Sequence, residues 1–150
     1  MSATAVKRPA RPKVSPREYA EFIRGLDLLN IAARALSAEL LVDKVDFKRE
    51  MDLGIEDKVS FQMEGEATCK VIQTCVFMAA YKDEPKIPLL RISCTFEVVY
   101  RVAKPMTKDY FQIFCTNNLP LNTWPYFREY VQSTVVRMGL PPLVLPVVRR

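Results

Sequence analysis

The sequence predicts an α+β fold, with an antiparallel β-meander packed by one long C-terminal helix and preceded by a short N-terminal helix. Three observations carry that expectation. Residues 45–102 hold runs of period-two alternation separated by turn chemistry, the pattern of consecutive antiparallel strands. Residues 122–138 instead repeat apolar side chains at steps of three and four and end on a glycine. Ser15-Pro16, with Glu18 three residues after the serine, opens a second and shorter helical pattern.

In that first helix Tyr19, Phe22, Ile23 and Leu26 recur at helical spacing. The series continues through Leu29, Ala33, Leu36 and Leu40, so periodicity alone favours one long helix. Gly25 and Asn30 weaken it, and the alternative is a helix ending near Gly25 with a strand over residues 28–42. From Val45 to Leu53 the even positions are charged and most odd ones apolar, which reads as a half-buried strand. The odd phase resumes at Val59, Phe61 and Met63, with Gly54 to Lys58 read as a bulge or a hairpin. Residues 67–81 are strand-like, and Lys82 to Lys86 form a turn.

The strongest strand is 89–102, where Leu90, Ile92, Cys94, Phe96, Val98, Tyr100 and Val102 share one face. Lys104-Pro105 then begins a long connection that runs to Pro120. The last helix is capped by Asn122 or Thr123, has Pro125 in its first turn, and stops at Gly139. Its apolar face is Phe127, Tyr130, Val131, Thr134, Val135 and Met138. Leu140 to Val148 is apolar, extended and punctuated by proline.

With 150 residues, 49% of them apolar and 26% charged, the composition is that of a globular protein rather than a disordered or fibrous one. Its nine-residue apolar stretch, Leu140 to Val148, falls far short of the roughly 20 residues a spanning helix needs. Residues 1–17 hold Lys7, Arg8, Arg11, Lys13 and Arg17 and no acid, so the net charge of +5 resides in the N-terminal arm. A basic arm can contact nucleic acid, but with no aromatic residue among its bases a solvated leader is the better reading.

The absence of His removes the commonest general base and metal ligand. Cys69, Cys75, Cys94 and Cys115 form no C-x-x-C pair and read as reduced, buried thiols. No nucleophile motif, P-loop or dinucleotide fingerprint is present, so neither an enzyme nor a cofactor or metal site is expected. The apolar excess instead lies outside the periodic segments, in Tyr110, Phe111, Phe114, Trp124, Tyr126, Leu140, Leu143 and Leu145. Such groups in excess mark a surface for partners.

Trp124-Pro125-Tyr126-Phe127-Arg128-Glu129 resembles the aromatic-Pro-Tyr-x-Arg-Glu run that opens the first helix of the protein-export chaperone SecB. The similarity continues through Val135, Arg137, Gly139 and Pro142-Leu143-x-Leu145. Upstream, Ile31-x-x-Arg34-x-Leu36-Ser37-x-Glu39 is similar to the first SecB strand, and the likeness spans about residues 28–148.

This resemblance implies a four-stranded antiparallel sheet packed by a long helix, with residues 28–42 as a strand and 16–25 as a short helix. The basic composition marks residues 1–15 as a disordered arm, and the resemblance implies a SecB-like chaperone domain over 16–150 and assembly as a homotetrameric dimer of dimers. The implied function is that of a cytoplasmic, ATP-independent holdase for unfolded polypeptides or preproteins in protein transport. Leu41, Val45, Phe47, Leu140, Leu143 and Leu145 are the implied client-binding residues. Phe127, Val131 and Val135 are the implied subunit contacts. The alternative is a SecB-like chaperone dedicated to one partner, such as an antitoxin. SecB proteins carry a second helix and an acidic tail after the Pro-x-Leu segment, and acids on the outer sheet face for the translocase motor SecA. Here Arg91, Ser93 and Arg101 stand on that face beside Glu39, which weakens the expectation that SecA docks.

Overall fold

The computed structural model describes residues 13–146. Of the basic arm and apolar tail read from the sequence, residues 1–12 and 147–150 lie outside the described residues. The elements are α1 (Pro16–Arg24), β1 (Leu26–Leu40), β2 (Met51–Glu64), β3 (Thr68–Tyr81), β4 (Pro88–Val102), α2 (Lys108–Asn117) and α3 (Leu119–Arg137).

α1 opens on a complete capping box, Ser15 Oγ accepting from the Glu18 amide and Glu18 reaching back to the Ser15 amide. It stops at Gly25, where an added Cβ would lie 2.6 Å from Ala103 Cβ, so only glycine lets the chain pass there. From Leu26 the chain is strand, paired residue by residue with β4 down to Leu40 opposite Leu90. The long helix that bare periodicity favours does not form.

The physical reason is visible in the register. β1 has shifts between Leu28 and Asn30 and between Ala33 and Ala35. The residues opposite the buried β4 row are therefore Leu26, Leu28, Ile31, Ala33, Leu36, Ala38 and Leu40. Two extra residues break the period of two, and with Leu29 at the first shift the series Leu26, Leu29, Ala33, Leu36 and Leu40 falls at the steps of three and four that imitate a helix. Hydrogen bonding to β4 along the whole strand outweighs local propensity.

The sheet is four-stranded and antiparallel, in the order β1-β4-β3-β2. The meander thus holds for β2, β3 and β4, while β1 joins the far side of β4 in Greek-key fashion. Residues 41–50 make the crossover between the two edge strands, so Val45 to Glu50 is not strand as the alternation suggested. The Asp46 amide donates to Tyr81 Oη at 2.7 Å, and the Arg49 guanidinium sits 3.7 Å from the Tyr81 ring centroid. β2 then runs unbroken, with Gly54 to Lys58 in regular register against β3, so these residues form neither bulge nor hairpin. This stretch of the edge strand is exposed on both faces, which suits Glu56, Asp57 and Lys58.

The core lies on one side of the sheet, between the inward rows of β3 and β4 and the helices. Phe127, Val131 and Leu119 of α3 are fully buried there, and Phe114 meets Tyr100 edge-on with ring centroids 5.1 Å apart. Residues 103–120, expected as a loop, contain α2. Thr107 caps it by accepting from the Tyr110 amide at 3.2 Å, while Phe111 packs on Phe61 and Tyr110 stacks on Phe22.

α3 begins at Leu119 rather than after Asn122 or Thr123, which places Pro125 inside the helix and not in its first turn. Asn122 donates its side-chain amide to Tyr100 Oη and Thr123 its hydroxyl to the Leu119 carbonyl, so both serve the helix interior instead of capping it. The end is as the sequence predicts. Gly139 takes a φ of 77°, Leu140 N–H reaches the Val135 carbonyl and Gly139 N–H the Val136 carbonyl, a Schellman motif.

Candidate functional site

The Schellman turn at Gly139 throws the chain off α3 toward the sheet, and Leu140 to Leu143 run beside the crossover from β1 to β2. Between them lies an apolar groove of about 380 Å³. Phe77, Ala79, Leu89 and Leu90 form its floor, all of them buried. Phe47 and Leu53 make one rim, 54% and 51% exposed, and Leu140, Pro141, Pro142 and Leu143 make the other. Val45, Met51 and Val135 complete it, so no charged side chain lines the groove. A surface of this kind binds by excluding water from apolar groups and carries no acid–base machinery.

Four of the residues singled out from the sequence therefore meet in one place: Val45, Phe47, Leu140 and Leu143. Leu41 is 45% exposed and lies outside the groove lining, its amide bonded to the Leu89 carbonyl. Leu145 is 3% exposed and belongs to the core. Its carbonyl accepts from Arg128 Nε at 2.6 Å, and the Pro146 carbonyl accepts from Trp124 Nε1 at 2.8 Å, so the tail folds back along α3. Phe127, Val131 and Val135, the subunit contacts drawn from the resemblance, are buried against their own sheet in the single chain, with Val135 also at the edge of the groove. Leu53 and Phe77 also belong to the groove, and their alternation marks them as inward-facing, whereas Leu89 has the parity of the outer row and no sequence signal places it there; what alternation lacks is whether a helix covers a row.

A second apolar depression of about 270 Å³ lies on the other flank of α3, between Tyr126 and Tyr130 and the β1 residues Ile31, Ala33 and Leu36. Here Leu36 is 57% and Tyr126 58% exposed. The outer sheet face is different in kind. Arg34 holds Glu97 with two bonds of 2.8 and 3.0 Å, and Lys70 joins Glu97 to Glu64. The Arg34 hydrogen bond keeps the Glu97 carboxyl below the usual carboxylate range. Glu97 and Glu64 there are held by bases, while Glu39, Asp52 and Glu56 on the same face make no ion pair among the described residues.

All four cysteines are free, and Cys69, Cys75 and Cys94 are buried in the inward rows. Burial pushes the thiols up from an ordinary 9.0, to about 11 for Cys69, Cys94 and Cys115 and about 12 for Cys75, where Asp57 adds to it. Raised thiol values favour folding below pH 9, and that contribution is lost as pH climbs through 11 to 12. A thiol titration at pH 8 is thus expected to label the native protein slowly, Cys115 first, and all four sites at once in urea. Fast labelling of every thiol without urea would contradict the burial.

No family model matches the sequence, and no curated protein is similar to it in sequence. Among solved structures it is similar to the Mycobacterium tuberculosis SecB-like chaperone Rv1957, solved in complex with a ChAD peptide from the Rv1956 HigA1 antitoxin. The TM-score is 0.73 at 16% identity, over 85% of this chain and 94% of that one. The fold is SecB-like. A protein of unknown function from Streptococcus agalactiae is more distant, with a TM-score of 0.40 and 8% identity over 81% of this chain and 96% of that one. In this fold the apolar groove is formed by the crossover and the segment after α3. No helix among the described residues is long and apolar enough to cross a membrane.

Proposed function

We propose that this chain is an ATP-independent holdase that takes extended, unfolded polypeptide segments into the groove between the crossover and the Leu140–Leu143 segment. The observation that carries the proposal is the groove itself, apolar along its length and open to solvent at Phe47 and Leu53. Burial of client side chains supplies about 25 cal/mol per Å², from which ordering of the client is subtracted. Affinity then grows by avidity when several grooves engage one client.

Self-association is part of the reading. β1 is an edge strand whose inward row exposes Leu28, Leu36 and Leu40, and Tyr126 projects beside it. A second copy placed edge to edge would continue the sheet and cover them, and pairing of such dimers would give the tetramer. The contact surface we assign is this one, in place of the buried face of α3. The cytoplasm is the compartment that suits four reduced thiols.

A partner-specific role is the second reading, favoured by the fold shared with a chaperone solved with an antitoxin peptide. The outer face favours it too, because its Glu97 and Glu64 carboxylates are already held by Arg34 and Lys70 and not free for a translocase motor. The test uses one preparation. The protein is expected to elute at a multiple of its chain mass and to suppress aggregation of a chemically denatured client without nucleotide. A monomer that leaves aggregation unchanged would overturn the proposal. Competition by isothermal titration between that client and an antitoxin peptide separates general from dedicated holding.

A further inference from the structure

The inward face of the sheet carries one charge. Pairing with β3 and β4 defines the inward rows of all four strands, and among the described residues each position in them is apolar or uncharged except Asp57. Asp57 is exposed, and no ion pair among the described residues reaches it. Its carboxylate is held by a hydrogen bond of 3.0 Å from Gln73 Nε2. Gln73 is 4% exposed and its Oε1 has no donor within the described residues. The buried amide, fixed by the packing around it, thus holds the Asp57 carboxylate in one position at the surface.

Asp57 also continues the groove. Leu53 lines the groove, Ile55 is next in the inward row and 42% exposed, and Asp57 follows, about 13 Å beyond Leu53 at strand rise. β2 is the other edge strand, and its outer hydrogen-bonding edge has no partner within the sheet. An extended chain laid antiparallel along that edge would face Leu53, Ile55 and Asp57 with every second side chain.

We propose that Asp57 is a specificity residue of the polypeptide groove, selecting extended client segments in which a Lys or Arg lies two and four residues before apolar side chains. The inference rests on the groove being a polypeptide site. The client's cation meets the Asp57 carboxylate while its apolar side chains cover Ile55 and Leu53. Strand addition to β2 supplies the backbone hydrogen bonds, and Gln73 keeps the carboxylate in place.

Fluorescence anisotropy with labelled extended peptides tests it. The peptides carry the pattern Lys-x-Leu-x-Leu or the same sequence with Glu for Lys, and the proteins are the full chain and its Asp57→Asn and Asp57→Lys variants. The wild type is expected to prefer the Lys peptide by about fivefold at low ionic strength, a preference that shrinks in 1 M salt. Asp57→Asn brings the ratio to about one, and Asp57→Lys inverts it. Equal affinity of the wild type for both peptides overturns the inference while leaving the groove as a polypeptide site. Failure of both peptides to bind overturns the groove reading as well. A deletion of residues 1–12 that raises affinity for the Lys peptide severalfold assigns Asp57 to the chain's own basic arm, and the client assignment falls.

Discussion

Replacing Phe47 and Leu53 together with serine is expected to abolish protection of a denatured client while leaving the melting temperature near that of the wild type. Both side chains are about half exposed, so their removal opens no cavity in the core. What they lose is contact area offered to a client. Full burial of a Phe or Leu against a partner contributes about 1.5–3 kcal/mol each, and ordering of the client consumes part of that. A loss of affinity of at least about tenfold remains, enough to restore aggregation at equimolar chaperone. Ile87→Ser is the matched control, since Ile87 is 55% exposed and lies outside the groove lining. Light scattering of the aggregating client and a thermal melt decide the matter. A folded double variant that protects as well as the wild type would remove the groove from the function.

Leu145→Ala is expected to destabilise the fold by about 2–4 kcal/mol, the usual cost of emptying a buried leucine site. Leu143→Ser is expected to cost under about 1 kcal/mol, since Leu143 lines the open groove and is only partly buried, and to weaken client binding instead. Two residues apart in a proline-stiffened segment, these leucines look equivalent in the sequence. Arg128 and Trp124 separate them by tying the carbonyls of Leu145 and Pro146 to α3, which turns the Leu145 side chain inward. Urea titration followed by the fluorescence of Trp124, the one tryptophan in the chain, reports both effects because its indole bonds the tail directly. Equal stability of the two variants would show that the tail does not pack as described.

How much of this was legible beforehand differs between elements for physical reasons. The alternation of residues 89–102 and 67–81 gave β4 and β3 within a residue, because both strands are central and their inward rows are covered. β1 was disguised, since two register shifts put its apolar residues at steps of two and three. The first-strand motif through Arg34 and Glu39 overrode that disguise, because the resemblance does not depend on periodicity. α2 had a signal that went unused: Thr107 as a cap, Asp109 in the first turn, and Tyr110, Phe111 and Phe114 at helical spacing. Pro125 reads as a first-turn proline and so points to Asn122 or Thr123 as the cap, whereas the helix starts at Leu119, with Pro120 in its first turn and Pro125 in its interior.

By itself the sequence determined which residues alternate, where α3 must stop, that the charge excess sits in residues 1–17, and that the chain has no histidine to build a base or a metal site. The tertiary structure alone decided the strand order, the division of the tail into a groove rim and a core anchor, and the meeting of Val45 and Phe47 with Leu140 and Leu143. Periodicity records which face of an element is apolar. Whether that face is covered depends on the partners that long-range pairing brings to it, and the open stretch of β2 beside α3 exists only because β1 crosses to the far edge of the sheet.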